Sequence, residues 1–243
     1  MNKKIKIFLL AIFAFILLTF FNSADANSID NISMDIALDD NGNASITEIW
    51  NCNVTDGTEV YHPYYNLGNS KITDLSVSEN GTAYSSLSSW KTSGSLSDKA
   101  YRCGINKISN GVELCWGISK YGSHSYEVKY NISNFVSELT DSQMIYWTLI
   151  PYDFSNPIGN VYIKIHSNFN IPDSVGVWGY GNYGGTAYVY DGYIEMQSDG
   201  RLASSEYMTI LVQFPLNIFN CNNKLDYDFN HYYKEYLCNN LHL

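Results

Sequence analysis

Basic residues are scarce. The 243-residue chain has 14 Lys and Arg against 24 Asp and Glu, a formal net charge of −10 at pH 7. A surface of that sign repels phosphate backbones and anionic lipid headgroups, which excludes nucleic acid as a partner and argues against membrane-surface binding. The chain also lacks HExxH, GxSxG, Walker A and DxDxDG segments. That removes the readings that rest on those motifs, including the zincin, nucleophile-elbow and P-loop chemistries. Its five histidines, His62, His124, His166, His231 and His242, are scattered, and none has a second ligand at i+2 to i+4. No metal and no cofactor are expected on that pattern.

Cysteine is sparse and odd in number: Cys52, Cys103, Cys115, Cys221 and Cys238, with no CxxC pair. A two-residue turn at Asn110-Gly111 sets Cys103 opposite Ile118 and turns Cys115 to the other face of the hairpin, so a bridge between them needs a bulge. Cys221 and Cys238 bracket an expected helix of about fourteen residues, whose rise holds them too far apart to bond. No disulfide framework is indicated.

Long apolar runs are nearly absent. The exception, Ile7 to Leu18, follows Lys3, Lys4 and Lys6 and precedes Ala24-Asp25-Ala26. It is shorter than the ~20 residues a spanning helix needs, and its flanks are those of a secretory signal peptide over residues 1–26. A late apolar stretch, Met208 to Phe219, is interrupted by Gln213, Pro215 and Asn217. The expected location is therefore exported, either extracellular or on the outer face of the cytoplasmic membrane. A membrane anchor is expected only if the natural chain continues past Leu243.

What the chain does have is a period of two. Ile32, Met34, Ile36 and Leu38 alternate with polar residues, a turn follows at Asp39 to Asn43, and Ile46, Glu48, Trp50 and Cys52 alternate again. With Leu38 opposite Ile46, the loop is Asn41 to Asn43 and both apolar sets share a face. Further strands read at 58–67 (an edge strand, because of Pro63), 72–77, 101–118, 123–132, 161–166, 175–180, 187–196 and 207–214. Turn signals recur at Asn80-Gly81, Asn110-Gly111 and Asp191-Gly192. The fold class is all-β, an antiparallel sandwich of one or two modules over residues 27–219, with a possible break near 134–150. A short helical tail is expected over 220–243, with helical spacing from Lys224 to Leu237, and a helical turn at Phe135 to Asp141. Seven serines between Ser85 and Ser97 read as a mobile surface loop.

Three features invite a functional reading. Gly179 to Gly184 spells GxGxxG, but a strand pattern follows it rather than a helix, so it is a loop between strands and no nucleotide site. Glu48 stands on the apolar face, where a carboxylate pair of glycosidase type is conceivable; the structural alternative is that it pairs with Arg102 or His62. Finally, 21 Tyr, 11 Phe and 5 Trp are an aromatic excess. Trp178, Tyr180 and Tyr183 in the Gly-rich stretch could form a stacking platform for a carbohydrate.

The segments "ISMDIALDDNGNASITEIWNCNV", "KITDLSVSENGTAY", "CWGISKYGSHSYEVKYNISNFV" and "MIYWTLI" together resemble the extracytoplasmic N-terminal domain of the bacterial predicted membrane proteins of domain of unknown function 2207. The carriers are the strand–NG–strand with Thr47-Glu48, the Trp116-Gly117 step and the Tyr146-Trp147 pair. The resemblance implies a β-rich domain outside the cytoplasmic membrane without assigned catalytic residues. Two departures stand out: the chain stops at Leu243 rather than running into transmembrane helices, and Tyr61-His62-Pro63 replaces the family's tendency to Tyr-Arg. The reading is thus a non-enzymatic interaction module of the cell envelope, its partner an unidentified envelope protein or glycan. The alternatives are a carbohydrate-binding module and a glycan hydrolase using Glu48.

Overall fold

Alternation builds the central hairpin. In the computed structural model, which describes residues 27–152, 154 and 156–240 and side chains as far as 234, β1 (Ser28–Leu38) and β2 (Ala44–Val54) point Ile32, Met34, Ile36, Ile46 and Trp50 into one core face. The signal peptide expected at 1–26 and the side chains of Cys238 and His242 lie outside the described residues. Leu38 sits opposite Ala44 and Ile36 opposite Ile46, two residues away from the expected register but with the same parity, so the apolar face is kept. The loop is longer because the Asp39 carboxylate accepts the backbone N–H of Asn41 (2.9 Å) and of Asn43 (2.8 Å), and Gly42 supplies a positive φ of 73°.

Around this hairpin an eight-stranded sheet forms. On one side lie β9 (Gly122–Ser133), β4 (Lys71–Glu79) and β5 (Thr82–Ala83); on the other lie β12 (Val161–Ser167), β15 (Tyr193–Gln197) and β14 (Thr186–Tyr190). β12 runs parallel to β1, so the sheet is mixed although mainly antiparallel. Two four-stranded sheets complete the sandwich. One is ordered β3 (Glu59–Tyr65), β8 (Gly111–Gly117), β7 (Arg102–Ile108), β6 (Ser85–Leu87), with Pro63-bearing β3 at its edge. The other is ordered β10 (Val136–Glu138), β11 (Gln143–Ile150), β16 (Met208–Phe214), β13 (Gly176–Tyr180). All three contribute to one continuous apolar core, in which Trp50 meets Trp116 edge-on at 5.2 Å and Trp116 meets Tyr126 at 5.8 Å.

Four local expectations are corrected. The turn between β7 and β8 is Ser109-Asn110, because Ile108 pairs with Gly111. Gly111 is in the strand, where a Cβ would come within 1.9 Å of the Tyr64 carbonyl oxygen. Cys103 therefore faces Trp116 rather than Ile118, and Cys52, Cys103, Cys115 and Cys221 are all buried free thiols. Residues 136–138 form β10, not a helical turn, since their backbone is paired with β11. The serine-rich stretch is pinned: β6 pairs with β7, Trp90 is buried against Glu59, and the helical turn α1 (Leu96–Lys99) is closed by a Ser95/Asp98 capping box. The tail helix α2 (Phe229–Asn240) starts later than expected. Asp228 accepts from the His231 N–H at its N-terminus, while residues 223–225 instead run along β10 as an extended segment.

Candidate functional site

Glu48 lies on the inner face by parity with Ile46 and Trp50, and it is fully buried. Donors converge on it. Trp50 Nε1 donates to Oε2 at 2.5 Å, the Tyr130 hydroxyl donates to Oε1, and His62 Nδ1 lies 3.0 Å from both oxygens. With the Tyr130 proton committed to Glu48, the Tyr64 hydroxyl donates to Tyr130 at 2.6 Å. His62 Nε2 lies 3.0 Å from the Leu149 carbonyl, which can only accept. Both ring nitrogens thus donate, and Glu48–His62 is a buried ion pair. Burial alone pushes the Glu48 carboxyl up; the His62 charge and the hydrogen bonds from His62, Tyr130 and Trp50 outweigh it and hold the group below its ordinary value of 4.5. Burial and the Glu48 charge together push the Tyr64 and Tyr130 hydroxyls well up.

The pair is also a junction. Glu48 belongs to the large sheet, His62 to the β3 sheet, and the Leu149 carbonyl to the β10–β13 sheet, so one network ties all three together. A second pair is built alike: His124 Nδ1 lies 2.6 Å from Glu79 Oε1, His124 Nε2 lies 2.8 Å from the Lys120 carbonyl, and the Tyr84 and Ser119 hydroxyls donate to Glu79 Oε2. Of the bases weighed for Glu48, His62 is the partner; Arg102 instead donates to the Asp98 carbonyl at the surface.

Beside the junction opens a groove of about 870 Å³, between the β3–β4 turn, the β7–β8 turn, strand β11 and the segment leading into α2. Among the described residues, seven aromatics, five asparagines and four Ser or Thr line it, and none of the lining residues carries a charge. Trp147 stacks on Phe135 (5.2 Å, 7°) and spends its indole N–H on the Phe135 carbonyl. Tyr152 is 62% exposed and meets Tyr207 edge-on at 6.4 Å. The amides are linked: Asn134 donates to the Asn69 carbonyl, Asn69 to Asn223, and Asn223 to Ser137, at 2.9–3.1 Å.

The residues expected to form a stacking platform are not displayed together. Trp178 packs beneath α2 against Phe229 and Tyr233, while Tyr180 and Tyr183 are buried. The physical reason is that the GxGxxG loop folds tightly onto its neighbours; a Cβ on Gly181, at φ +127°, would come within 1.8 Å of the Tyr207 carbonyl oxygen. Tyr180 nonetheless backs the groove, lying 6.3 Å from both Tyr146 and Tyr207. The groove escaped the sequence reading because its residues come from separate turns and strands. The one local signal was the Tyr146-Trp147 pair on β11. Among the described residues, no three His, Cys, Asp or Glu side chains converge as a metal-binding group, and no helix is long and apolar enough to cross a membrane.

The profile of the predicted membrane protein (DUF2207) N-terminal domain matches residues 28–214. No curated protein matches the sequence. Among solved structures, the yeast leukotriene A4 hydrolase bound to bestatin superposes with a TM-score of 0.50 at 8% identity, over 77% of this chain and 29% of that one. The M1 zinc metallopeptidase from Deinococcus radiodurans gives a TM-score of 0.38 at 10% identity, over 76% of this chain and 42% of that one. The chain thus spans less than a third of the hydrolase, and the likeness is one of fold alone.

Proposed function

Because the chain belongs to the predicted membrane proteins that share the DUF2207 N-terminal domain, we propose that it acts on the outer face of the membrane as a non-enzymatic binding domain, with the groove as its ligand site. The observation that carries this reading is the groove's composition: aromatic faces and amides, with no carboxylate, imidazole, thiol or cation among the described lining residues. General acid–base chemistry is carried most often by a histidine or a carboxylate in reach of the ligand. Glu48, the carboxylate singled out in the sequence, is buried and committed to Trp50, His62 and Tyr130. Its role is to hold the three sheets together beside the groove. Export supplies the setting in which such a groove meets envelope material, and the signal-peptide pattern of residues 1–26 supports it.

The test is co-sedimentation of the purified chain with isolated cell walls, with mass analysis of the supernatant. The chain should sediment, Tyr152→Ala should sediment less, and no new glycan or peptide ends should appear. Release of cleaved wall fragments, or sedimentation indifferent to Tyr152→Ala, overturns the proposal.

A further inference from the structure

We propose that the groove takes a neutral oligosaccharide of pyranose units. This rests on the reading that the groove is the ligand site and names the chemistry of what fills it.

The chain carries 14 basic and 24 acidic residues, yet none of those among the described residues lines the groove. Among these lining residues a phosphate, sulfate or carboxylate on the ligand meets no cation, and an ammonium group meets no anion. Burying such a group unpaired is strongly unfavourable, so the ligand is uncharged where it is enclosed.

The polar and apolar surfaces of the groove match a sugar in form. A pyranose ring presents a flat face of C–H groups and a rim of hydroxyls. Trp147 has its only donor satisfied by the Phe135 carbonyl, so it offers the groove π surface. Tyr152 stands largely exposed with its ring edge to Tyr207, and Tyr207 and Tyr146 are both braced from behind by buried Tyr180. Rings held in place before the ligand arrives lose little freedom on binding. Asn66 and Asn110, exposed at the lip, provide amides that both donate and accept, which suits hydroxyls.

The sheet edge beside the groove favours a sugar over an extended peptide. Peptides commonly dock by adding a strand to an open sheet edge. β10 borders the groove at Ser137, but its free edge is already used: Glu138 N–H donates to the Asn223 carbonyl and Leu225 N–H to the Glu138 carbonyl. Recognition is left to side chains. The volume, about 870 Å³, lies toward the upper end of small-ligand sites and has room for several rings.

The experiment is calorimetric titration of the full chain, with tryptophan fluorescence in parallel. The probes are chitotetraose, cellotetraose, maltotetraose and mannotetraose, with a heparin tetrasaccharide and an uncharged Ala-Gly pentapeptide for comparison. At least one neutral tetrasaccharide should saturate, and heparin should not. Tyr152→Ala should weaken that binding about tenfold, the loss of one aromatic contact. Asn66→Gly should weaken it too; Asn66 has φ +54°, so glycine keeps the backbone while removing the amide. Silence from all four neutral sugars, or binding unchanged in both variants, overturns the inference. If the pentapeptide binds in a Tyr152-dependent way while the sugars are silent, the glycan assignment falls and the groove stands as the ligand site. Silence from every probe counts against both.

Discussion

Replacing Glu48 by Gln preserves shape and removes one charge from the three-sheet junction. The amide oxygen can still accept from Tyr130 or Trp50, but its nitrogen must then face another donor: Trp50 Nε1 and His62 Nδ1 both point at the Glu48 oxygens. His62, whose Nε2 remains bound to the Leu149 carbonyl, then faces a neutral amide in place of the carboxylate. Breaking a buried pair by removing one partner costs about 3–5 kcal/mol. For a domain of this length, that lowers Tm by roughly 6–20 °C. The assay is thermal and urea unfolding of wild type, Glu48→Gln, His62→Leu and the double variant. Each single variant should lose stability on this scale, and the double variant should lose less than the sum of the two, because the partners interact directly. Glu48→Gln within 1 kcal/mol of wild type, or strict additivity in the cycle, would refute the assigned ion pair.

Three further outcomes follow from the same geometry. Glu48 and Glu79 both have carboxyls held below 4.5 in the fold, each pushed up by burial but pulled further down by its histidine and hydroxyl partners. The unfolded chain therefore takes up protons first as pH falls, so their stabilisation is present above about pH 4.5 and lost below it; Tm against pH should drop there, with a shallower drop in Glu48→Gln. Gly181→Ala should destabilise by about 2–4 kcal/mol, since it combines a positive φ with a Cβ clash at the Tyr207 carbonyl, whereas Gly200→Ala, with open space around it, should cost only about 1 kcal/mol in chemical denaturation. Native iodoacetamide labelling at pH 8 should spare Cys52, Cys103, Cys115 and Cys221, all buried, with burial pushing the Cys52 thiol up to about 12 and the Cys221 thiol up to about 11; labelling in denaturant should reach all four, and native labelling of any one contradicts the packing.

Much of the sandwich is legible in the sequence because the central strands of its largest sheet alternate over most of their length. Tyr126, Val128, Tyr130 and Ile132 on β9 face the core in the order that the pattern implies. Local chemistry moved boundaries by small steps: the Asp39 side-chain caps lengthened one loop, and the close approach of β3 to Gly111 shifted the next turn. Residues 135–141 misled because Leu139 and the 136–138 strand satisfy a short helical spacing, while pairing with β11 settles the matter from outside the segment. The anomaly at Glu48 was visible as an acid on an apolar face; that His62 answers it depends on the β3 sheet lying over β2, which no local pattern encodes. The groove is less legible still. Asn66, Asn110, Trp147 and Tyr152 come from different turns and strands, and only tertiary packing makes them neighbours. Of the Gly-rich triplet, Trp178 packs beneath α2 and Tyr183 is buried, while Tyr180 backs the groove from within.

Placement on the outer face is tested most directly by adding protease to intact cells that express the full chain, followed by immunoblotting against the sandwich and a cytoplasmic marker. An outer-face domain is digested or clipped while the marker survives, and its intact mass before digestion starts after Ala26. Protection of the chain until the cells are lysed, with residues 1–26 still attached, would contradict it.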